Sequence, residues 1–196
     1  MIHPDFAIDY ARGLQTLAGE TFDDVLRAIR EDMPYAWLER YRRMCDGPTN
    51  VLEMTESGFE YLFDFCTELP GNTREDRLVV TYGISRAAEH KRNASRLRGF
   101  PVSDNRGDRG HFIAHAAGGG LDINVFHQNP QLNRGGSVEG KRYREMERYC
   151  AGHEGTFFFS RPIYTDSSAR PSQLEFGILL PEPSFWVEVF ENPKAG

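Results

Sequence analysis

Asp108-Arg109-Gly110-His111, followed by Asn124 and then Gln128-Asn129-Pro130-Gln131-Leu132-Asn133-Arg134-Gly135, is the stretch on which the reading of this chain turns. Histidine is the side chain best suited to take a proton near neutral pH. Arginine offers phosphate oxygens a planar fork of donors. Residues two apart on an extended segment share a face, so Arg109 and His111 are expected side by side, with Gly110 permitting close backbone approach. A base beside a phosphate clamp is what phosphodiester hydrolysis needs. Taken alone, the four residues also fit a turn leading into a strand, with His111 as a core histidine.

The residues downstream add to this. Asn124 and Asn133 lie nine apart with Gln128 between them, ahead of a helical segment. Hard cations such as Mg²⁺ accept amide oxygens and keep several waters, so an Asn near a helix start is a candidate single protein ligand. Helix capping and turn formation are the other common uses of Asn. Placing Tyr143 at 0° on a helical wheel puts Met146 and Cys150 at about 300° and 340°, Glu147 at about 40° and Glu145 at about 200°. Glu147 therefore falls at the apolar stripe, where an acid is either paired with a base or used for binding.

Outward from this core, helical spacing recurs in the N-terminal third, at Phe6, Tyr10, Leu14 and Leu17, at Phe22, Val25, Leu26 and Ile29, and at Trp37, Tyr41 and Met44. A further helix is expected near 57–68, from Phe59, Phe63 and Cys66, before the Pro70-Gly71-Asn72 boundary. Strands are expected at 78–84, 111–117, 156–164, 174–180 and 185–190, with a helix around Tyr143–Cys150 and mostly loop over 86–108. The expected architecture is α+β: a helical N-terminal region over residues 1–72, then a domain over 73–196 with a mainly antiparallel sheet.

The chain has 196 residues, a net charge of −6, 39% apolar and 27% charged residues, which fits a folded globular chain and excludes wholesale disorder. No apolar run reaches the roughly 18 residues of a membrane span, and no secretory signal is visible at the start. A cytoplasmic location, or export by a route without such a signal, is the expectation. Cys45, Cys66 and Cys150 are far apart and odd in number, which suits free thiols. The charge is uneven. Residues 1–73 carry 14 acids and 6 bases, whereas residues 74–148 carry 14 bases and 9 acids. A basic middle concentrates a polyanion even on a net acidic protein, and the acidic N-terminal helices are expected either to complete the core or to pack over that basic face and restrain it.

These pieces together resemble the DNA/RNA non-specific endonuclease family of the ββα-metal superfamily, and most closely its toxin-associated branch. The likeness covers about residues 76–165 and rests on Asp108-Arg109-Gly110-His111 followed in order by Asn124, Gln128 to Gly135 and Met146-Glu147. It implies a ββα-metal nuclease core. It further implies His111 as general base, Arg109 as phosphate contact and Asn133 as ligand of one divalent cation, Mg²⁺ or alternatively Mn²⁺. Glu147 would attend the metal's waters, with Asp108, Asn124 and Gln128 in support, and Arg96 or Arg98 would supply a further phosphate contact. The implied partners are DNA and RNA, with an inhibitor or immunity protein as a candidate where the nuclease serves as a toxin or in defence. No membrane partner is implied, and the oligomeric state is not readable. A nuclease fold without activity, holding nucleic acid or a protein, is the alternative. One departure stands out: 14 residues separate Asn133 from Glu147, more than in the family. On one unbroken helix they would lie about 21 Å apart and Glu139 would take the role. A break at Gly135–Gly140 would return it to Glu147.

Overall fold

In a computed structural model, which describes residues 6–88 and 107–194, the strands dominate. Helices α1 (Tyr10–Gln15) and α2 (Phe22–Met44) lead into strands β1 (Val51–Glu56), β2 (Phe59–Asp64), β3 (Arg77–Ile84), β4 (Asp108–His111) and β5 (Val125–Gln128). Helices α3 (Pro130–Asn133) and α4 (Val138–Gly152) follow, then β6 (Phe157–Ile163), β7 (Gln173–Leu180) and β8 (Ser184–Glu191). Six strands form one antiparallel sheet in the order β1-β2-β3-β6-β7-β8, while β4 and β5 pair separately.

This corrects the expected α+β architecture with a helical region over residues 1–72. The described molecule is mainly antiparallel sheet with few helices, and its N-terminal helical part is short. The error has a local cause. Phe59, Phe63 and Cys66 fall at helical spacing, yet Val51–Asp64 is a hairpin that carries the sheet across from β3 to its edge at β1. Its turn, Ser57-Gly58, holds both residues at positive φ, 50° and 71°, the conformation a tight hairpin requires. A second difference is α2, one helix where two were expected. Thr21 caps it by accepting from the Asp24 amide, Asp23 and Asp24 stand in its first turn, and Arg42 and Arg43 in its last. It runs through Pro34. The lost interior hydrogen bond costs about 3 kcal/mol, and the complete burial of Trp37 and Tyr41 just beyond offsets it.

Both faces of the sheet are covered, so β6 reads as a continuous run, Phe157-Phe158-Phe159, rather than as an alternation. Phe158 packs with Phe59, Phe176, Tyr143 and Met146 on the face that bears α4 and the β4–β5 hairpin. Phe157 and Phe159 pack with Trp37, Tyr82 and Tyr10 on the other face. Among the described residues, the acidic N-terminal helices therefore lie across the sheet from α4. A buried polar cluster fastens them: the Tyr10 hydroxyl donates to Glu175 Oε2 at 2.5 Å, Trp37 Nε1 donates to Tyr10 at 3.1 Å, and Arg161 Nε donates to Glu175 at 2.6 Å. Arg161 Nη2 also donates to the Phe6 carbonyl. Cys45, Cys66 and Cys150 are free thiols. Among the described residues no helix is long and apolar enough to cross a membrane.

Candidate functional site

The site is built on the β4–β5 hairpin, in which Asp108 lies opposite Gln128, Arg109 opposite His127 and His111 opposite Val125. Gly110 has a specific use here. A Cβ at that position would come within 2.1 Å of Gln128 Oε1, so the missing side chain makes room for Gln128 across the hairpin rather than for an approaching ligand.

Strand β4 ends at His111, earlier than the expected strand over 111–117. The fully buried Asn124 turns the chain. Its amide oxygen accepts from the Ile113 N–H at 2.8 Å, and its nitrogen donates to the carbonyls of Ile113 at 2.9 Å and Gly120 at 2.8 Å. The turn tightens into a 3-10 segment, His115–Ala117, closed by Gly118 at φ 101°. A Cβ on Gly119 would stand 2.0 Å from the Ile113 carbonyl oxygen, so only glycine fits there. Asn124 thus positions the chain beyond His111 and has no place in the site itself.

Helix α3 opens with Asn129 accepting from the amides of Gln131 and Leu132, and with Pro130 in the first turn. Asn129 is held in turn by Asn192 and Pro193 beyond β8: its N–H donates to Asn192 Oδ1 at 2.6 Å and its Nδ2 to the Pro193 carbonyl at 3.0 Å. Asn133 ends α3. Its amide nitrogen donates to Asp108 Oδ2 at 2.9 Å, and Arg134 Nε donates to the same oxygen at 2.7 Å. Partial burial works to raise the Asp108 pKa, but the hydrogen bonds from Arg134 and Asn133 outweigh it and hold the carboxyl below its ordinary value. An ionised carboxylate only accepts, so the nitrogen of Asn133 is fixed toward Asp108 and its amide oxygen faces away.

Gly135, at φ 71°, breaks the helix, and Ser137 caps a new one by accepting from the Gly140 amide. Helix α4 folds back on α3, where Arg144 Nη1 donates to the Asn133 carbonyl at 3.3 Å. This break puts Asn133 and Glu147 on the wall of one hollow of about 200 Å³, shared with His111, His115, Arg144 and Arg148 and floored by alanines 114, 116 and 151. Glu147 sits at the margin of the apolar stripe. Burial raises the pKa of both Tyr143 and Cys150, and the charge of Glu147 raises them further. Glu139 is exposed on the first turn of α4 and lies outside the hollow.

Of the residues singled out in the sequence, His111, Asn133 and Glu147 come together, Asp108 braces Asn133, and Gln128 supports the hairpin. Arg109 is half-buried on β4 but does not line the hollow. Arg96 and Arg98 lie outside the described residues. The sequence reading missed Arg144. Its signal was the spacing of 144, 147, 148 and 151, one face of a helix. No protein-family model matches this chain, and no curated protein matches it.

Asn133 and Glu147 both line the hollow, and amide and carboxylate oxygens are the donors a hard divalent cation accepts. Among the described residues no three His, Cys, Asp or Glu side chains gather as a metal site.

Proposed function

We propose that this chain is a divalent-metal-dependent nuclease that hydrolyses phosphodiester bonds of DNA or RNA without reading base sequence. The observation that carries the reading is the convergence of His111, Asn133 and Glu147 with Arg144 and Arg148 on one small hollow, from three separate elements. His111 takes the proton of the attacking water. Asn133 would hold Mg²⁺ or Mn²⁺, with Glu147 on the metal's waters, and the cation would polarise the scissile phosphate as a Lewis acid. Arg144 and Arg148 meet the phosphate oxygens and stabilise the charge that grows on them in the transition state. Arg109, on the strand that carries His111, is assigned an outer phosphate contact. Cleavage leaves a 5′-phosphate and a 3′-hydroxyl. Phosphate contacts carry no base information, which is why the reading is non-specific.

The test is degradation of plasmid and total RNA by the purified protein in Mg²⁺, beside EDTA and His111→Ala. Cleavage lost in both controls, by about 10³-fold for the variant, is the expected result. Intact nucleic acid across Mg²⁺, Mn²⁺ and low salt would overturn the proposal.

A further inference from the structure

We propose that Asn192, just past β8, is a positioning residue that fixes where Asn133 stands; the assignment rests on the reading above that Asn133 is the protein ligand of the cation. Helix α3 is a single turn of four residues. It is too short to hold its own shape, since isolated helices need roughly 12–15 residues. Leu132 roots it in the core, but apolar burial is non-directional and leaves the turn free to rock. Directional bonds at its two ends remove that freedom. At the Asn133 end the brace is Asp108. At the Asn129 end it is Asn192.

Asn192 is 2% exposed, and its side chain binds three separate pieces of the chain. Its Oδ1 accepts from the Asn129 N–H at 2.6 Å, and its Nδ2 donates to the carbonyls of His127 at 3.0 Å and Pro171 at 2.8 Å. Its own N–H donates to the Ser172 carbonyl at 2.8 Å. Asn192 therefore ties the junction of β5 and α3 to the loop between β6 and β7. Asn129 passes the restraint on. Its carbonyl accepts from the Asn133 N–H at 2.9 Å. Its side chain, steadied by donation to the Pro193 carbonyl at 3.0 Å, caps the turn by accepting from Gln131 and Leu132. Three hydrogen bonds in line thus join Asn192 to Asn129, Asn129 to Asn133 and Asn133 to Asp108. The first two place the Asn133 backbone, and the third orients its side chain. Asn192 lies off the wall of the hollow and acts through Asn133.

The experiment measures Mn²⁺ binding directly, from the electron paramagnetic resonance signal of the free ion, and cleavage of plasmid across a Mn²⁺ series. Asn192→Ala, confirmed folded by its melting curve, should bind Mn²⁺ about tenfold more weakly than the unaltered chain. Cleavage should need correspondingly more Mn²⁺ to reach half its maximal rate. Asn192→Ser, too short to span all three partners, takes its place if the alanine variant does not fold. Tyr164→Phe is the control: it removes a buried hydrogen bond to the Leu78 carbonyl, away from α3, and should leave Mn²⁺ binding unchanged. Unaltered binding in the Asn192 variant, or an equal loss in Tyr164→Phe, overturns the positioning role. An unaltered chain that binds Mn²⁺ but cuts no nucleic acid overturns the nuclease reading, and the binding data alone then decide the role of Asn192. An unaltered chain that binds no Mn²⁺ overturns both.

Discussion

Two carboxylates in this molecule are each gripped by an arginine, and they do different work. Glu175 and Arg161 lie inside the sheet with side chains 4% and 1% exposed; Asp108, bonded to Asn133 of the hollow's wall, and Arg134, which follows Asn133, are 15% and 70% exposed. The inner pair spends its hydrogen bonds on Tyr10 and the Phe6 carbonyl, and so ties the N-terminal helical layer to strands β6 and β7. The outer carboxylate holds the nitrogen of Asn133 and leaves that residue's oxygen for something else. A sealed polar cluster specifies how layers pack. A cluster with one side open to a hollow specifies what can bind.

The comparison can be broken most forcefully at the inner pair. Glu175→Ala strands a buried guanidinium and should cost about 3–5 kcal/mol of stability, read by chemical denaturation, while cleavage per folded molecule stays unchanged. A collapse of specific activity in the folded fraction would mean the inner cluster also serves the site. Next in size is Asp108→Ala, which frees Asn133 to flip. Metal affinity should weaken about 10–100-fold, measured by Mn²⁺ titration of cleavage, with most of the rate regained at saturating metal. The same variant should flatten the acid side of the stability profile. The folded pKa of Asp108 lies below its unfolded value of about 3.9. Its contribution is therefore complete above that pH and is lost as pH falls through the folded pKa. The smallest effect sharpens the contrast within α4. Arg148→Gln should reduce the dependence of log KM on log salt by roughly 0.7–0.9, one phosphate contact, whereas the exposed Glu139→Gln should leave cleavage and stability within about 0.5 kcal/mol of the parent.

Strands β6, β7 and β8 and helix α4 were legible in the sequence, because apolar runs and helical spacing there agree with the local backbone. The break between Asn133 and Glu147 was also readable, as one of two options, from Gly135 and Ser137. Other features were not. The hairpin Val51–Asp64 hid behind aromatic residues at helical spacing, and only the Ser57-Gly58 turn betrays it. Strand β5 is buried along its whole length, so it shows no alternation. The placement of the helices on the far side of the sheet depends on strand order, and strand order is a long-range property that no local pattern carries. Arg144 joins the hollow through a turn of α4, and only the helical spacing of 144, 147, 148 and 151 marks it.

The clasp of Asn192 on Asn129 has a consequence for when the hollow exists. These residues are 63 apart along the chain, and the clasp also takes in the His127 carbonyl through Asn192 Nδ2. A nascent chain that has emerged as far as α4 therefore has His111, Asn133 and Glu147 in hand but not the anchor that seats α3. The anchor of α3 therefore forms only once the chain beyond β8 is in place, so the geometry of the hollow depends on residues at the far end of the fold.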